Sequence, residues 1–238
     1  MRNLVEGIHR FRTEIFDQQR GLFTQLAEGQ APSTLFITCS DSRVVPNLFT
    51  QTDPGELFTL RNAGNIVPPY GASNGGESPT IEYAVSVLGV QHIVICGHSG
   101  CGAVQALLHP ETVAHMPSIA NWLTQAEATQ RILQENYPDL TGDALLNVAI
   151  QENVLVQIEN LETHPAVRAR LGRGQLTLHA WVYKFETGQV FAYSAEKKRF
   201  LPISEEVSPT GSGERRLAAV TDEQAIAFPG NSPVNGAI

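Results

Sequence analysis

The sequence predicts an α/β fold: a central, mostly parallel sheet of about four parallel strands plus an antiparallel edge strand, flanked by helices and preceded by an N-terminal helical arm. Three observations carry this. Apolar runs rich in β-branched and aromatic residues, too short for helices, recur at TLFITC (Thr34–Cys39), LFTLRN (Leu57–Asn62) and HIVICGH (His92–His98). Helical patterns lie between or after them at 80–88 and Gly102–Leu108, and strands alternating with helices imply parallel pairing with both faces covered. Two further runs, 176–183 and 190–195, are joined by Glu186-Thr187-Gly188-Gln189 and read as a hairpin that adds the antiparallel part.

Taken in order, the chain starts with Leu4, Ile8, Phe11, Ile15, Phe16, Leu22, Phe23 and Leu26 near helical spacing, an amphipathic arm broken near Gly21. Its apolar stripe must bury against the chain's own core or against a partner subunit. Helices are expected over 118–136 and 143–161, the second with an amphipathic register of Leu145, Val148, Ala149, Val154, Leu155 and Ile158. From 204 the sequence mixes Ser, Pro, Gly and charge without periodicity, which reads as irregular chain with a brief helix near 214–219. The expected organisation is an N-terminal helical arm (1–30), an α/β domain (31–200) and an irregular C-terminal extension (201–238).

With 238 residues, 42% hydrophobic and 17% charged, the chain suits one globular domain with a sizeable core. A net charge of −8 with only 16 basic residues argues against nucleic-acid binding, which needs clustered Lys and Arg. No apolar run approaches the ~20 residues that span a bilayer, and the charged, helical start differs from a signal peptide. The expectation is a soluble, cytoplasmic protein. Its three cysteines, Cys39, Cys96 and Cys101, cannot all pair, and without secretion signals they read first as metal-binding or catalytic thiols. Each alone equally fits a small buried core residue.

Cys39 ends one predicted strand and His98 another, with Cys101 just beyond. In a parallel sheet all three project at the carboxyl edge, where open α/β folds place their ligands. Two thiolates and an imidazole suit zinc, and a catalytic zinc site takes three such ligands plus an exchangeable fourth position. A carboxylate two residues past a strand-end ligand points to the same side, so Asp41 either takes that fourth position in a closed state or turns to Arg43. The Arg43 fork suits bidentate capture of the carboxylate, which leaves the metal open to water. Away from a metal, Asp41 and Arg43 would be a nearly neutral surface ion pair.

CSDSRV (39–44), RNAGN (61–65), IEYAV (81–85) and GHSGCGAV (97–104), in this order and spacing, resemble the β-class carbonic anhydrases, over roughly residues 1 to 200. The resemblance implies a zinc enzyme that hydrates carbon dioxide reversibly to bicarbonate, built on a homodimer often assembled into a higher homo-oligomer, with the active site at the subunit interface. Carried over by position, Cys39, His98 and Cys101 match the metal ligands, and Asp41 and Arg43 the catalytic gatekeeping dyad. Gln30 matches a glutamine that hydrogen-bonds substrate, Gly102 a position whose bare backbone approaches it, and Phe58, Ala63 and Tyr83 the apolar pocket lining, some of it donated by the neighbouring subunit. Core packing explains Phe58, Ala63 and Tyr83 equally well.

Phe36 stands where the bicarbonate-regulated subtype has Trp, so the pocket resembles the plant-like subtype with water on zinc at rest. Zinc acidifies that water and supplies hydroxide as nucleophile; two thiolates blunt the effect, which places best activity on the alkaline side. Cys96 reads as core, and the remaining histidines show no ligand spacing. The rival readings are a zinc hydrolase acting on carbon disulfide or carbonyl sulfide, and a non-catalytic zinc-stabilised scaffold module. A thiol phosphatase is set aside, because Cys39 and Arg43 are separated by three residues where a phosphate loop needs five. The resemblance covers free cytoplasmic and carboxysome-associated members alike, so both locations stand open, with the C-terminal extension as a segment for docking a carboxysome scaffold partner.

Overall fold

The computed structural model describes residues 1–203; most of the expected C-terminal extension, including its helix near 214–219, lies outside the described residues. Within them, six strands form one sheet in the order β2-β1-β3-β4-β5-β6. These are β1 (Thr34–Cys39), β2 (Leu57–Asn62), β3 (His92–His98), β4 (Thr177–Tyr183), β5 (Val190–Ser194) and β6 (Arg199–Pro202). β2, β1, β3 and β4 are parallel, and β5 and β6 complete an antiparallel edge. β6 was not expected from the sequence: it follows a tight turn with Lys198 at φ 51°, and runs through the expected boundary at 200.

β1 is buried at five of its six positions, as a central parallel strand covered on both faces must be. Leu35, Ile37, Ile93 and Ile95 point into the main core. Phe36, Val94 and Cys96 point the other way, against Phe49, Leu57, Trp181 and Tyr183. The helix α1 (Arg2–Arg10) continues through a π-type turn at Phe11–Ile15, and the arm resumes as α2 (Arg20–Glu28). The break therefore falls at residues 16–19, and Gly21 lies inside α2. Among the described residues nothing in α1 or α2 is buried; Leu4, Val5, Ile8, Phe11 and Ile15 are all exposed.

Two short helices, α3 (Pro46–Thr50) and, after β2, α4 (Glu77–Tyr83), precede β3; α5 (Gly102–Leu108) follows it. The single helix expected over 118–136 is two, α6 (Pro117–Leu123) and α7 (Glu127–Asn136), joined by a 3-10 turn. α8 (Gly142–Glu162) is followed by α9 (Pro165–Leu171). α8 departs from a one-faced amphipathic helix, because Val148, Ala149, Ile150, Gln151, Asn153, Val154, Val156 and Gln157 are all buried. It lies against β3 and β4 with α5, α7 and α9 also touching it, so little of its middle is left for solvent.

α8 crosses β3 at Gly97, where an added Cβ would lie 2.8 Å from Val154 Cγ2 and 3.3 Å from Ile150 Cγ2. The Gly97→Ala variant is expected to lose about 1–3 kcal/mol of stability by overpacking, read as a lower guanidinium midpoint; an unchanged midpoint would show that the helix has room to shift.

Candidate metal centre

β1 and β3 are paired with Thr38 opposite Cys96, so Cys39 is level with Gly97 and His98 stands one residue beyond. After His98 the chain turns through Gly100, at φ 61°, and returns Cys101 as the N-terminal cap position of α5. Strand register and one glycine turn thus bring two distant segments together. The Cys39 and Cys101 sulfurs are 4.0 Å apart, and the ligand atoms of Cys39, His98 and Cys101 all lie within 4.8 Å of one another. Two sulfurs on a tetrahedral zinc, at Zn–S of about 2.3 Å, sit roughly 3.8 Å apart.

His98 is fully buried. Its Nδ1 donates to the Ser99 carbonyl oxygen at 2.9 Å, which fixes the tautomer and leaves Nε2 as the lone-pair nitrogen. That buried Nε2 has no hydrogen-bond partner among the described residues, a costly state that a cation would relieve. The two thiols face each other as a coupled pair. Donation from Cys101, against the opposing effect of burial, lowers Cys39 to about 4; the same neighbour, with burial, pushes Cys101 well above an ordinary thiol. Cys39 is therefore the thiol that gives up its proton more readily. The Gly64 N–H supports it, donating to Cys39 Sγ at 3.4 Å. Gly64 has φ 80°, and an added Cβ would lie 3.0 Å from that of Ala103, so only glycine brings this amide in. The loop is pinned from outside by Trp122 Nε1 donating to the Ala63 carbonyl at 2.8 Å and by Asn153 Nδ2 donating to the Gly64 carbonyl at 3.0 Å.

Asp41 lies at the mouth of this set, Oδ2 3.9 Å from His98 Nε2. Arg43 holds it three ways: backbone N–H to Oδ1 at 3.0 Å, Nε to Oδ1 at 2.9 Å and Nη2 to Oδ2 at 2.7 Å. Those hydrogen bonds keep the carboxyl well below the usual carboxylate range. Two participants were missed in the sequence. Arg61 donates from Nε to the Cys39 carbonyl at 3.1 Å and from Nη2 to the Asp41 carbonyl at 2.8 Å; it opens the quoted RNAGN motif, so a signal was present. Phe185, from the β4–β5 turn, lies beneath the Arg43 guanidinium at 4.5 Å and beside the His98 ring at 5.1 Å. No local pattern marks it.

The pocket residues divide. Ala63 adjoins Gly64 at the centre, and Gly102 opens α5 with empty space where a Cβ would stand. Gln30 is exposed before β1. Phe58 pairs with Leu35, about 13 Å along the strand from Cys39, and Tyr83 packs on Phe58 with ring centroids 6.0 Å apart. Within one chain these three are not brought to the metal centre. Cys96 is buried in the opposite core, its thiol pushed up to about 12 by burial.

A buried two-thiol, one-imidazole set at the carboxyl edge of a parallel sheet, with a carboxylate held just clear of it, defines an α/β protein built around a metal-ligand site. The family model described as carbonic anhydrase matches residues 34–190. The carbonic anhydrase of Synechococcus elongatus is 46% identical, covering 100% of this chain and 90% of the relative. That of Pseudomonas aeruginosa is 46% identical over 86% of this chain and 93% of its own. The structure of the β-carbonic anhydrase CcaA superimposes with a TM-score of 0.84 at 49% identity, covering 85% of this chain and 98% of that one. A Coccomyxa β-carbonic anhydrase in complex with acetazolamide follows at 0.69 and 32%, covering 79% and 83%. The chain belongs to the β-carbonic anhydrase family of enzymes.

Because Asp41 titrates lower when folded than when unfolded, its contact with Arg43 stabilises the fold above the unfolded carboxyl pKa of about 4 and is lost as pH falls through the folded value. In metal-free protein the urea midpoint of Asp41→Asn should lie below that of the native chain at pH 7, and the gap should begin to narrow only below about pH 4 and persist in large part at pH 3, since the folded carboxyl titrates lower still. A gap independent of pH would count against the ion pair.

Proposed function

We propose that this chain hydrates carbon dioxide reversibly to bicarbonate and a proton on a zinc ion held by Cys39, His98 and Cys101, with Asp41 and Arg43 as the gatekeeping dyad. The observation that carries the reading is the set of three buried donors within 4.8 Å of one another, one an imidazole nitrogen with no hydrogen-bond partner, beside a carboxylate held by Arg43. When bound, zinc supplies a Lewis acid that makes water a nucleophile near neutral pH.

The chain's own residues do the rest. Arg43 keeps Asp41 ionised and turned aside in the open form, so the fourth ligand position is left to solvent. Ionised Asp41 is purely an acceptor, and by taking the proton of the attacking oxygen in a hydrogen bond it aims a lone pair at the substrate carbon. Arg61 fixes the backbone on both sides of Ser40, which sets where Asp41 starts. The bare backbone of Gly102 leaves its N–H open to the developing bicarbonate oxygen. Gln30, Phe58 and Tyr83 reach the pocket from a second copy in a homodimer, which the exposed apolar stripe of the arm supports. Phe36 packs against Phe49 and Trp181, ring centroids 6.0 Å from each, and so occupies an aromatic core position. Among the described residues no helix is long and apolar enough to cross a membrane; we place the enzyme in the cytoplasm, with a carboxysome as the alternative.

Stopped-flow carbon dioxide hydration on protein of known zinc content tests this. The native chain should carry about one zinc and gain activity toward alkaline pH. Cys39→Ser, His98→Ala and Cys101→Ser should each lose the metal and fall to background. Asp41→Asn should keep zinc and lose about 100-fold in kcat. Full zinc without hydration at any pH would overturn the proposal, and assay with carbon disulfide and carbonyl sulfide would then separate a related hydrolase from a closed scaffold site.

A further inference from the structure

We infer that Phe185 is a positioning residue whose ring face holds the Arg43 guanidinium in the orientation that keeps Asp41 off the metal, so that the β4–β5 turn sets the balance between open and closed site. The inference rests on the dyad reading above and deepens it.

Arg43 is a poor clamp by itself. Its side chain is 56% exposed, and a long exposed arginine gives up rotamer freedom to keep one geometry. Apart from Asp41, it reaches the Gly100 carbonyl, to which Nη2 donates at 3.3 Å. Phe185 supplies what is missing, a flat face 4.5 Å below the guanidinium carbon, and a planar, weakly hydrated cation suits such a face.

The ring is held in turn. Its other neighbours are His98 at 5.1 Å and Tyr183, edge-on at 5.2 Å, and Tyr183 stacks on Phe49 at 4.5 Å. The Phe185 N–H donates to Ser99 Oγ at 3.0 Å, and Ser99 Oγ donates to Glu186 Oε2 at 2.9 Å. The Ser99 N–H itself donates to the Tyr183 carbonyl at 2.9 Å. A continuous set of contacts therefore runs from the residue after His98, through the turn, to the ring under Arg43. The charged and titratable groups facing the dyad are His98 from β3, Cys39, Cys101, Arg61 from β2, and Glu186 with Lys184 beside the turn. Phe185 adds no charge to them, so its effect is on where Arg43 stays.

The test uses the full chain with cobalt in place of zinc, whose visible spectrum reports whether a carboxylate occupies the fourth position, and thiocyanate as an anion probe. At the pH where the native spectrum lies midway between its two limits, Phe185→Leu should lower the open-to-closed ratio by about 2- to 5-fold, the worth of a cation–π contact at a partly exposed site. Thiocyanate affinity should fall with the open fraction. Phe185→Tyr, which keeps a ring face, should match the native protein, and Phe185→Leu in an Asp41→Ala background should change nothing. If Phe185→Leu leaves the ratio unchanged, or acts equally without Asp41, the positioning role is overturned. A native spectrum with no second limit would instead overturn the dyad gate itself.

Discussion

The site depends on one pairing, the parallel register of β1 and β3. Because Thr38 faces Cys96 across it, the carboxyl ends of the two strands finish within a residue of each other. A one-residue slip would turn His98 to the opposite face of the sheet. Register is held by the packing it produces: Leu35, Ile37, Ile93 and Ile95 share the helix-covered core, and Phe36, Val94 and Cys96 the other. Hydrophobic burial on two faces of a six-residue strand is thus what fixes a sulfur and an imidazole nitrogen within reach of a common ion.

Charge accounts for the rest of the site's economy. Two thiolates would balance a divalent cation, leaving Asp41 and Arg43 as a second neutral pair beside it. Moving Asp41 to the cation would make one side of the site net negative and strand the Arg43 charge, so the pair has an electrostatic reason to stay together. His98 as a ligand would add no charge, since its Nδ1–H is spent on the Ser99 carbonyl and its Nε2 lone pair would go to the ion. The groups around the ligands act on backbone or through it: Gly64 N–H donates to Cys39 Sγ, Arg61 donates to two carbonyls, and the Ser99 hydroxyl accepts from the N–H of Phe185 in the turn.

What could be read in the sequence was what is local. Three parallel strands were legible to the residue, because each is a short run with β-branched and aromatic residues bounded by turns; β1 and β3 are buried almost throughout, and β2 at the sheet edge is partly exposed. The separation of Asp41 and Arg43 was legible for the same reason, since both are counted from a strand end. The short helices α3 and α9 went unread although each begins with a proline at its first turn, a position proline favours; five to seven residues show too little periodicity. β6 pairs with a hairpin strand and has no alternating pattern long enough to detect. Arg61 stood in a motif but reaches its partners only across the β1–β2 ladder. Phe185 was invisible, since the ring meets Arg43 from 142 positions away.

The homodimer proposed above would account for two features of the single chain. The arm offers an apolar stripe with nothing buried, and Gln30, Phe58 and Tyr83 lie toward the amino end of the sheet, away from Cys39. In the proposed homodimer a two-fold axis places the same surface of both copies face to face, so what is remote from its own metal centre comes near its neighbour's. The arm then buries its stripe on the second copy, gaining roughly 25 cal/mol for each Å² removed from water. In that dimer, folding of the arm, completion of the pocket and association would become one event. A chain whose arm cannot bury Leu4, Ile8 and Phe11 on a neighbour would keep its ligand triad, which a single sheet edge supplies, and lose the walls that position substrate over it.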